Sequence, residues 1–152
     1  MDKIIQLGAA WLGTLGFALL FNVRGRKLFY ASLGGLLAWA VYLLVEGLAG
    51  NAYLSGFCAT VTLTLYAELM AIVQRAPVTV FLVSAAIPLI PGAALYRTMD
   101  CAMHRDWQGF AAQGGYALGF AASMAAGITA TTILFQFLRG ALRRRRSQER
   151  RI

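Results

Sequence analysis

Residues 76–96 read APVTVFLVSAAIPLIPGAALY, an apolar stretch that is long enough to cross a bilayer as a helix. Pro88, Pro91 and Gly92 lie together near its middle. Each proline removes a backbone donor and clashes with the preceding turn, and glycine adds backbone freedom, so a straight helix is not expected. In hydrocarbon, the freed backbone groups need other protein or a water-filled cavity to satisfy them. The stretch therefore predicts a membrane span broken at these three residues; the alternative is a kink that only shapes packing.

The composition of the whole chain is that of an integral membrane protein. Its 152 residues are 59% hydrophobic and 13% charged, and the mean hydropathy is +0.64, which is more apolar than a soluble domain of this length. The apolar runs are continuous and do not alternate, which favours helices over a barrel. We therefore predict an all-α fold. Cys58 and Cys101 form neither a disulfide framework nor a metal-like spacing.

Five membrane spans follow from the apolar runs, at about residues 4–21, 28–45, 54–73, 77–99 and 110–138. We predict a five-helix transmembrane module at residues 1–142 and a basic tail at 143–152. Short outer loops are expected at residues 46–53 and 100–108.

Basic residues decide the orientation of these spans. With the amino terminus outside and the carboxy terminus in the cytoplasm, 11 of the 14 basic residues lie on the inner face, as the positive-inside rule requires. The arginine-rich tail then anchors to anionic lipid. Because the positive charge sits at the ends of spans, we predict no nucleic-acid partner despite the net charge of +8.

The fifth span carries a strip of small side chains spaced four residues apart, which places them on one helix face. Its members are Gly115, Gly119, Ser123, Gly127 and Thr131. Membrane helices use such strips to bring backbones close together. The strip predicts helix packing, and its neighbour lies either in this chain or in another, either the homologous partner or a second copy.

The third span repeats the same spacing with Gly56, Thr60, Thr64 and Glu68. Glu68 is the only acid predicted inside a span, and a carboxylate there is costly unless it faces a cavity, finds a partner or takes up a proton. Glu68 is therefore a candidate for proton coupling. The alternative is a structural carboxyl that is bonded to a neighbouring helix or reaches toward Arg75.

The remaining polar residues offer little for chemistry. His104 lies near Asp100 and Asp106 in the predicted outer loop, where a metal site is conceivable but a solvated loop is the simpler interpretation. His104 is predicted outside and Glu68 toward the inside, so they cannot cooperate in acid–base catalysis. We predict no metal site, no cofactor and no enzymatic activity.

Several segments resemble the threonine/serine exporter family, in its carboxy-terminal five-helix module. They are GFALLFNV at residues 16–23, AELMA at 67–71, APVTVFL at 76–82, IPLIPG at 87–92 and the Leu95-Tyr96 pair. The resemblance covers about residues 5–138. In that family the module is either fused behind a similar five-helix half or made as a separate small subunit, and this chain resembles the separate form.

The resemblance implies an exporter subunit in the inner (plasma) membrane that acts with a homologous five-helix partner. The implied substrates are small amino acids such as threonine and serine, or small dicarboxylates. Two halves of five spans each would have opposite orientations, as in inverted-repeat transporters. The alternative is a non-transporting scaffold or assembly subunit.

The broken span is where we predict the substrate site. If its second half starts near Gly92, the first amides of that helix favour a substrate carboxylate. The predicted substrate-binding residues are Pro88, Pro91, Gly92, Thr64 and Tyr96.

Overall fold

The computed structural model describes residues 2–149, with side chains described for residues 3–140. Within that range the chain is entirely helical, as predicted. The helices are α1 (Asp2–Leu20), α2 (Arg26–Ala49), α3 (Ala52–Gln74), α4 (Val78–Ala86), α5 (Gly92–Met103) and α6 (Trp107–Glu149), with a 3₁₀ turn at Ile87–Leu89. The predicted lipid anchor at residues 143–152 depends on arginine side chains. These lie outside the residues whose side chains the structure describes.

Four of these helices are long and apolar enough to cross a membrane, namely α1, α2, α3 and α6. The segments Val78–Leu89 and Gly92–Met103 are bent by 55° relative to each other. Taken together, they are also long and apolar enough to cross a membrane. The number of candidate spans in the described range is therefore four, or five if the bent pair is one span.

The two predicted outer loops are much shorter than expected. Residues 46–49 continue α2, and Gly50 caps its end with the left-handed φ of 60° that glycine adopts readily. The side chain of Asn51 then accepts bonds from the amides of Tyr53 and Leu54 and starts α3. The prediction of a loop over residues 46–53 was wrong because these two caps turn the chain within two residues.

The predicted loop at residues 100–108 is corrected in the same way. Helix α5 runs to Met103, and only three residues separate it from α6. Asp106 Oδ1 accepts a bond from the Gly109 amide at 3.0 Å and caps the start of α6.

The helices enclose two buried clusters at different levels of the bundle. In one, Leu89 of the 3₁₀ turn lies with Ala59 and Leu63 of α3. In the other, Phe81 of α4 lies with Ala67 of α3. Later residues of the α4 segment lie beside earlier residues of α3, so the two run antiparallel. The break in the chain therefore lies at the level of the middle of α3.

Helices α3 and α6 run parallel and pack through the small-residue strip. Ser123 Oγ donates a bond to the Tyr53 carbonyl oxygen at 2.6 Å. A Cβ on Gly119 would lie 2.9 Å from the Tyr53 ring, and one on Gly127 would lie 2.9 Å from the Phe57 carbonyl oxygen. The neighbour of this part of the strip is therefore a helix of the same chain.

The two ends of the strip differ in their surroundings. Thr131 is buried and donates a bond to the Gly127 carbonyl oxygen at 2.8 Å. Gly115 is exposed, and a Cβ added there would meet nothing within 4 Å. Gly115 thus lies beyond the contact with α3.

Candidate functional site

The break between α4 and α5 has a clear local cause. After the 3₁₀ turn, Ile90 adopts an extended conformation (φ −63°, ψ 128°), which is the region that a following proline favours. Pro91 then precedes the first residue of α5, where its missing N–H costs no helical bond. The break is found at the three residues that the sequence predicted.

A partly enclosed cavity of about 570 Å³ lies against this break. Its volume is in the range of small-molecule sites. One wall is the chain from Pro88 to Ala94, followed on α5 by Arg97. The other walls come from α2 and α6: Trp39, Tyr42, Gln113, Tyr116 and Phe120.

Aromatic rings in mutual contact form much of the cavity wall. Trp39 and Tyr42 stack with ring centroids 5.1 Å apart. Tyr42 meets Phe120 edge-on at 6.1 Å, and Tyr116 lies 6.1 Å from Phe120. Such contacts hold the rings in fixed orientations and give the cavity a preformed shape.

The polar groups of the cavity come from three helices. Arg97 of α5 is exposed, and Gln113 lies on α6. Trp39 Nε1 is buried and has no hydrogen-bond partner among the described residues. Buried donors without a partner are rare in proteins, so this one calls for an explanation.

The predicted substrate-binding residues separate into two groups. Pro88, Pro91 and Gly92 line the cavity. Thr64 is buried on α3, where its hydroxyl donates to the Thr60 carbonyl oxygen at 2.7 Å, and Tyr96 is 74% exposed. Neither is among the described residues that line the cavity, so their roles stay predictions.

Glu68 is buried, with 6% of its surface exposed, and it is not among the described residues that line the cavity. Its neighbour Ala67 belongs to the cluster around Phe81, whereas the break belongs to the cluster around Leu63. At 1.5 Å per residue, the five residues from Leu63 to Glu68 correspond to about 7.5 Å along α3. The structure does not bring the predicted proton carrier into the predicted substrate site.

Sequence reasoning missed Arg97, Gln113 and the two aromatic residues of α2. A partial signal was present, because Arg97 follows Ala93 by four residues and so shares a helix face with the start of α5. Gln113, Tyr116 and Phe120 likewise lie three and four residues apart. Which faces meet depends on packing between helices, and the spacing alone does not specify it.

Two further hollows adjoin the break. A groove of about 810 Å³ runs between α5 and α6, has almost entirely apolar walls and includes Gly115. A smaller cavity of about 270 Å³ lies beside α1 and includes Gln6. It shares Trp39 and Pro88 with the main cavity, so these two residues separate the two spaces.

The polar residues at the α5–α6 turn contact their neighbours in the same turn. His104 Nδ1 lies 3.0 Å from the Asp100 carbonyl oxygen and 3.4 Å from its carboxylate, while Asp106 caps α6. Among the residues searched, no three His, Cys, Asp or Glu side chains cluster as metal ligands would.

A helical bundle with four to five candidate spans and a break beside a cavity is an arrangement that secondary transporters use. The profile of the family described as "Threonine/Serine exporter, ThrE" matches residues 6–134. The chain belongs to this family, as the sequence motifs predicted. Searches of curated proteins and of solved structures found no match.

Proposed function

We propose that this chain is a subunit of a secondary exporter for small amino acids such as threonine and serine, or for small dicarboxylates. The observation that carries the proposal is the break at Pro88–Gly92, which lines a cavity of about 570 Å³. Transporters build substrate sites at such breaks, since the unwound backbone and helix ends offer polar groups inside the membrane. Family membership supports export as the direction of transport.

The partner in this proposal is a homologous five-helix subunit. A half with an odd number of spans has its termini on opposite sides, so a second half can pack against it as an inverted repeat. The cavity is only partly enclosed by this chain, and in this proposal the partner completes its wall. We assign the complex a transport role and no enzymatic one.

We further propose that the amino terminus lies outside the inner membrane and the carboxy terminus in the cytoplasm. The α1–α2 and α3–α4 turns lie at the same end of the bundle, since Val23 and Ala76 pack with the same cluster. These turns carry Arg24, Arg26 and Arg75, which supports a cytoplasmic position. This orientation can be tested by asking whether a cysteine introduced in the cavity reacts with a membrane-impermeant reagent from outside the cell or from the cytoplasm.

Proton coupling through Glu68 is the part of the proposal that a single substitution tests. Glu68→Gln mimics the protonated acid, so the complex should fold normally. It should also exchange labelled substrate across the vesicle membrane when the substrate concentrations on the two sides are equal. Its net transport in vesicles under an imposed pH gradient should fall to the rate measured without a gradient. The assay uses this chain with its five-helix partner and labelled threonine, serine and succinate.

Asp100→Asn is the matched control, because Asp100 is exposed at the far end of α5 and should keep the full gradient dependence. If Glu68→Gln also keeps it, Glu68 is structural. If the parent complex moves none of the three substrates above vesicles without it, the exporter proposal is wrong.

A further inference from the structure

The main cavity at the break and the smaller cavity beside α1 share one wall. Among the described residues, only Trp39 and Pro88 line both spaces. Pro88 is part of the break itself, so the indole ring of Trp39 is the part of this wall that one substitution can remove. The smaller cavity has a volume of about 270 Å³ and is also lined by Gly13 of α1.

Two sets of contacts hold the Trp39 ring in place. It stacks on Tyr42 with ring centroids 5.1 Å apart and an interplanar angle of 22°. It is also half-buried and packs against the cluster that contains Leu63 and Leu89. Because such contacts fix the orientation of an aromatic ring, the wall between the two cavities is rigid.

The unpaired indole N–H of Trp39 indicates that this position requires the size of the ring and not its hydrogen bond. The N–H is buried and has no acceptor among the described residues, and a buried donor without a partner costs stability. Phenylalanine would avoid that cost and could also stack on Tyr42, but it would fill less of the space between the cavities. A larger ring with an unpaired donor is the arrangement expected where the ring serves as a wall.

We propose that Trp39 is a specificity-determining residue, which limits how far the side chain of a substrate extends from the main cavity toward α1. This inference rests on the proposed function and deepens it, because it names amino acids with small side chains as the class that the site selects. The side chain of threonine is then accommodated in the main cavity, whereas the larger side chain of phenylalanine meets the ring.

The competing interpretation is that Trp39 only packs the bundle. Removing the ring would then weaken the binding of every substrate by a similar factor, because the packing around the site is lost. Removal of a wall has a different result, since it favours the larger substrate over the smaller one. The ratio of the two affinities therefore distinguishes the two interpretations.

The test measures binding of labelled threonine to the purified complex of this chain and its five-helix partner, with unlabelled threonine and phenylalanine as competitors. Trp39→Ala joins the two cavities, so the affinity for phenylalanine relative to threonine should rise by about 10-fold or more, as expected for an apolar pocket that discriminates by size. Trp39→Phe keeps a smaller ring and should raise this ratio less. Trp39→Leu provides the same comparison if Trp39→Ala does not give a folded complex.

Gly13→Leu is the matched control, because it fills the smaller cavity from the other side. A Cβ added at Gly13 meets nothing within 4 Å, so leucine should fit without disturbing the fold. Alone, Gly13→Leu should leave both affinities at the parent values, since the Trp39 ring separates it from the substrate. Combined with Trp39→Ala, it should reverse the gain for phenylalanine, a coupling that a residue with only a packing role would not show.

An unchanged ratio of affinities in Trp39→Ala and Trp39→Leu would overturn the inference, as would a gain for phenylalanine that Gly13→Leu does not reverse. The expected binding pattern without transport in vesicles would overturn the proposed function and leave the role of Trp39 standing. A parent complex that transports succinate but binds neither amino acid would overturn the inference and leave the proposed function standing.

Discussion

Replacing Gly92 with leucine is expected to abolish transport while leaving the helical bundle folded. A Cβ added at Gly92 meets nothing within 4 Å, so the new side chain has room and leucine suits a helix better than glycine. Gly92 lines the cavity at the point where α5 begins. A leucine there covers the first amides of α5 and excludes the substrate, so the initial rate should fall to that of vesicles without the complex.

Gly16→Leu is the control for this substitution. Gly16 lies on α1, is exposed and also has nothing within 4 Å of an added Cβ, but it does not line the cavity. Both variants should elute at the parent position in size-exclusion chromatography, and only Gly92→Leu should lose transport. Full transport by Gly92→Leu would mean that the substrate does not pass the start of α5.

Replacing Gly127 with leucine is expected to disrupt the packing of α6 on α3. The added Cβ would lie 2.9 Å from the Phe57 carbonyl oxygen and would collide with the Thr60 hydroxyl. A backbone carbonyl cannot rotate away as a flexible side chain can, so the two helices must separate. Overpacking of this kind costs about 1–3 kcal/mol, and more where the backbone must shift. The variant should show a lower thermal midpoint and a reduced yield of folded protein.

Gly115→Leu tests whether this effect is specific to the face that contacts α3. Gly115 belongs to the same strip of α6, yet an added Cβ there meets nothing within 4 Å. We expect Gly115→Leu to keep the thermal midpoint of the parent. Equal midpoints for Gly127→Leu and the parent would show that α3 and α6 do not pack closely in the membrane.

The break in the fourth span was predictable because its cause is local. Pro88 and Pro91 act on the turns next to them, whatever the rest of the chain does. The ends of the helices were predicted less well, because hydropathy does not detect caps. Asn51 and Asp106 end the loops early through side-chain bonds to nearby amides, and each of these signals is a single residue.

The cavity was only half predictable, and the reason is tertiary packing. The break itself supplies Pro88, Pro91 and Gly92, whereas Trp39 and Gln113 arrive from helices that are distant in sequence. Spacing shows which residues share a face of one helix, but it does not show which faces of two different helices pack together. For the same reason, spacing alone does not show that Glu68 is absent from the described lining of the cavity.

The most direct test of the central claim asks whether substrate occupies the cavity at the break. Ala93 is exposed and lines that cavity, so Ala93→Cys is introduced after Cys58 and Cys101 are replaced by serine. Met103→Cys is the control, because Met103 is 83% exposed at the far end of α5. A membrane-impermeant maleimide is added to intact cells, with and without threonine or succinate.

The account predicts that both cysteines react from outside the cell and that a transported substrate slows the labelling of Ala93→Cys only. Labelling of Ala93→Cys only after the membrane is opened would contradict the proposed orientation. Labelling from outside at a rate that no substrate changes would contradict the claim that the cavity beside Gly92 is the substrate site.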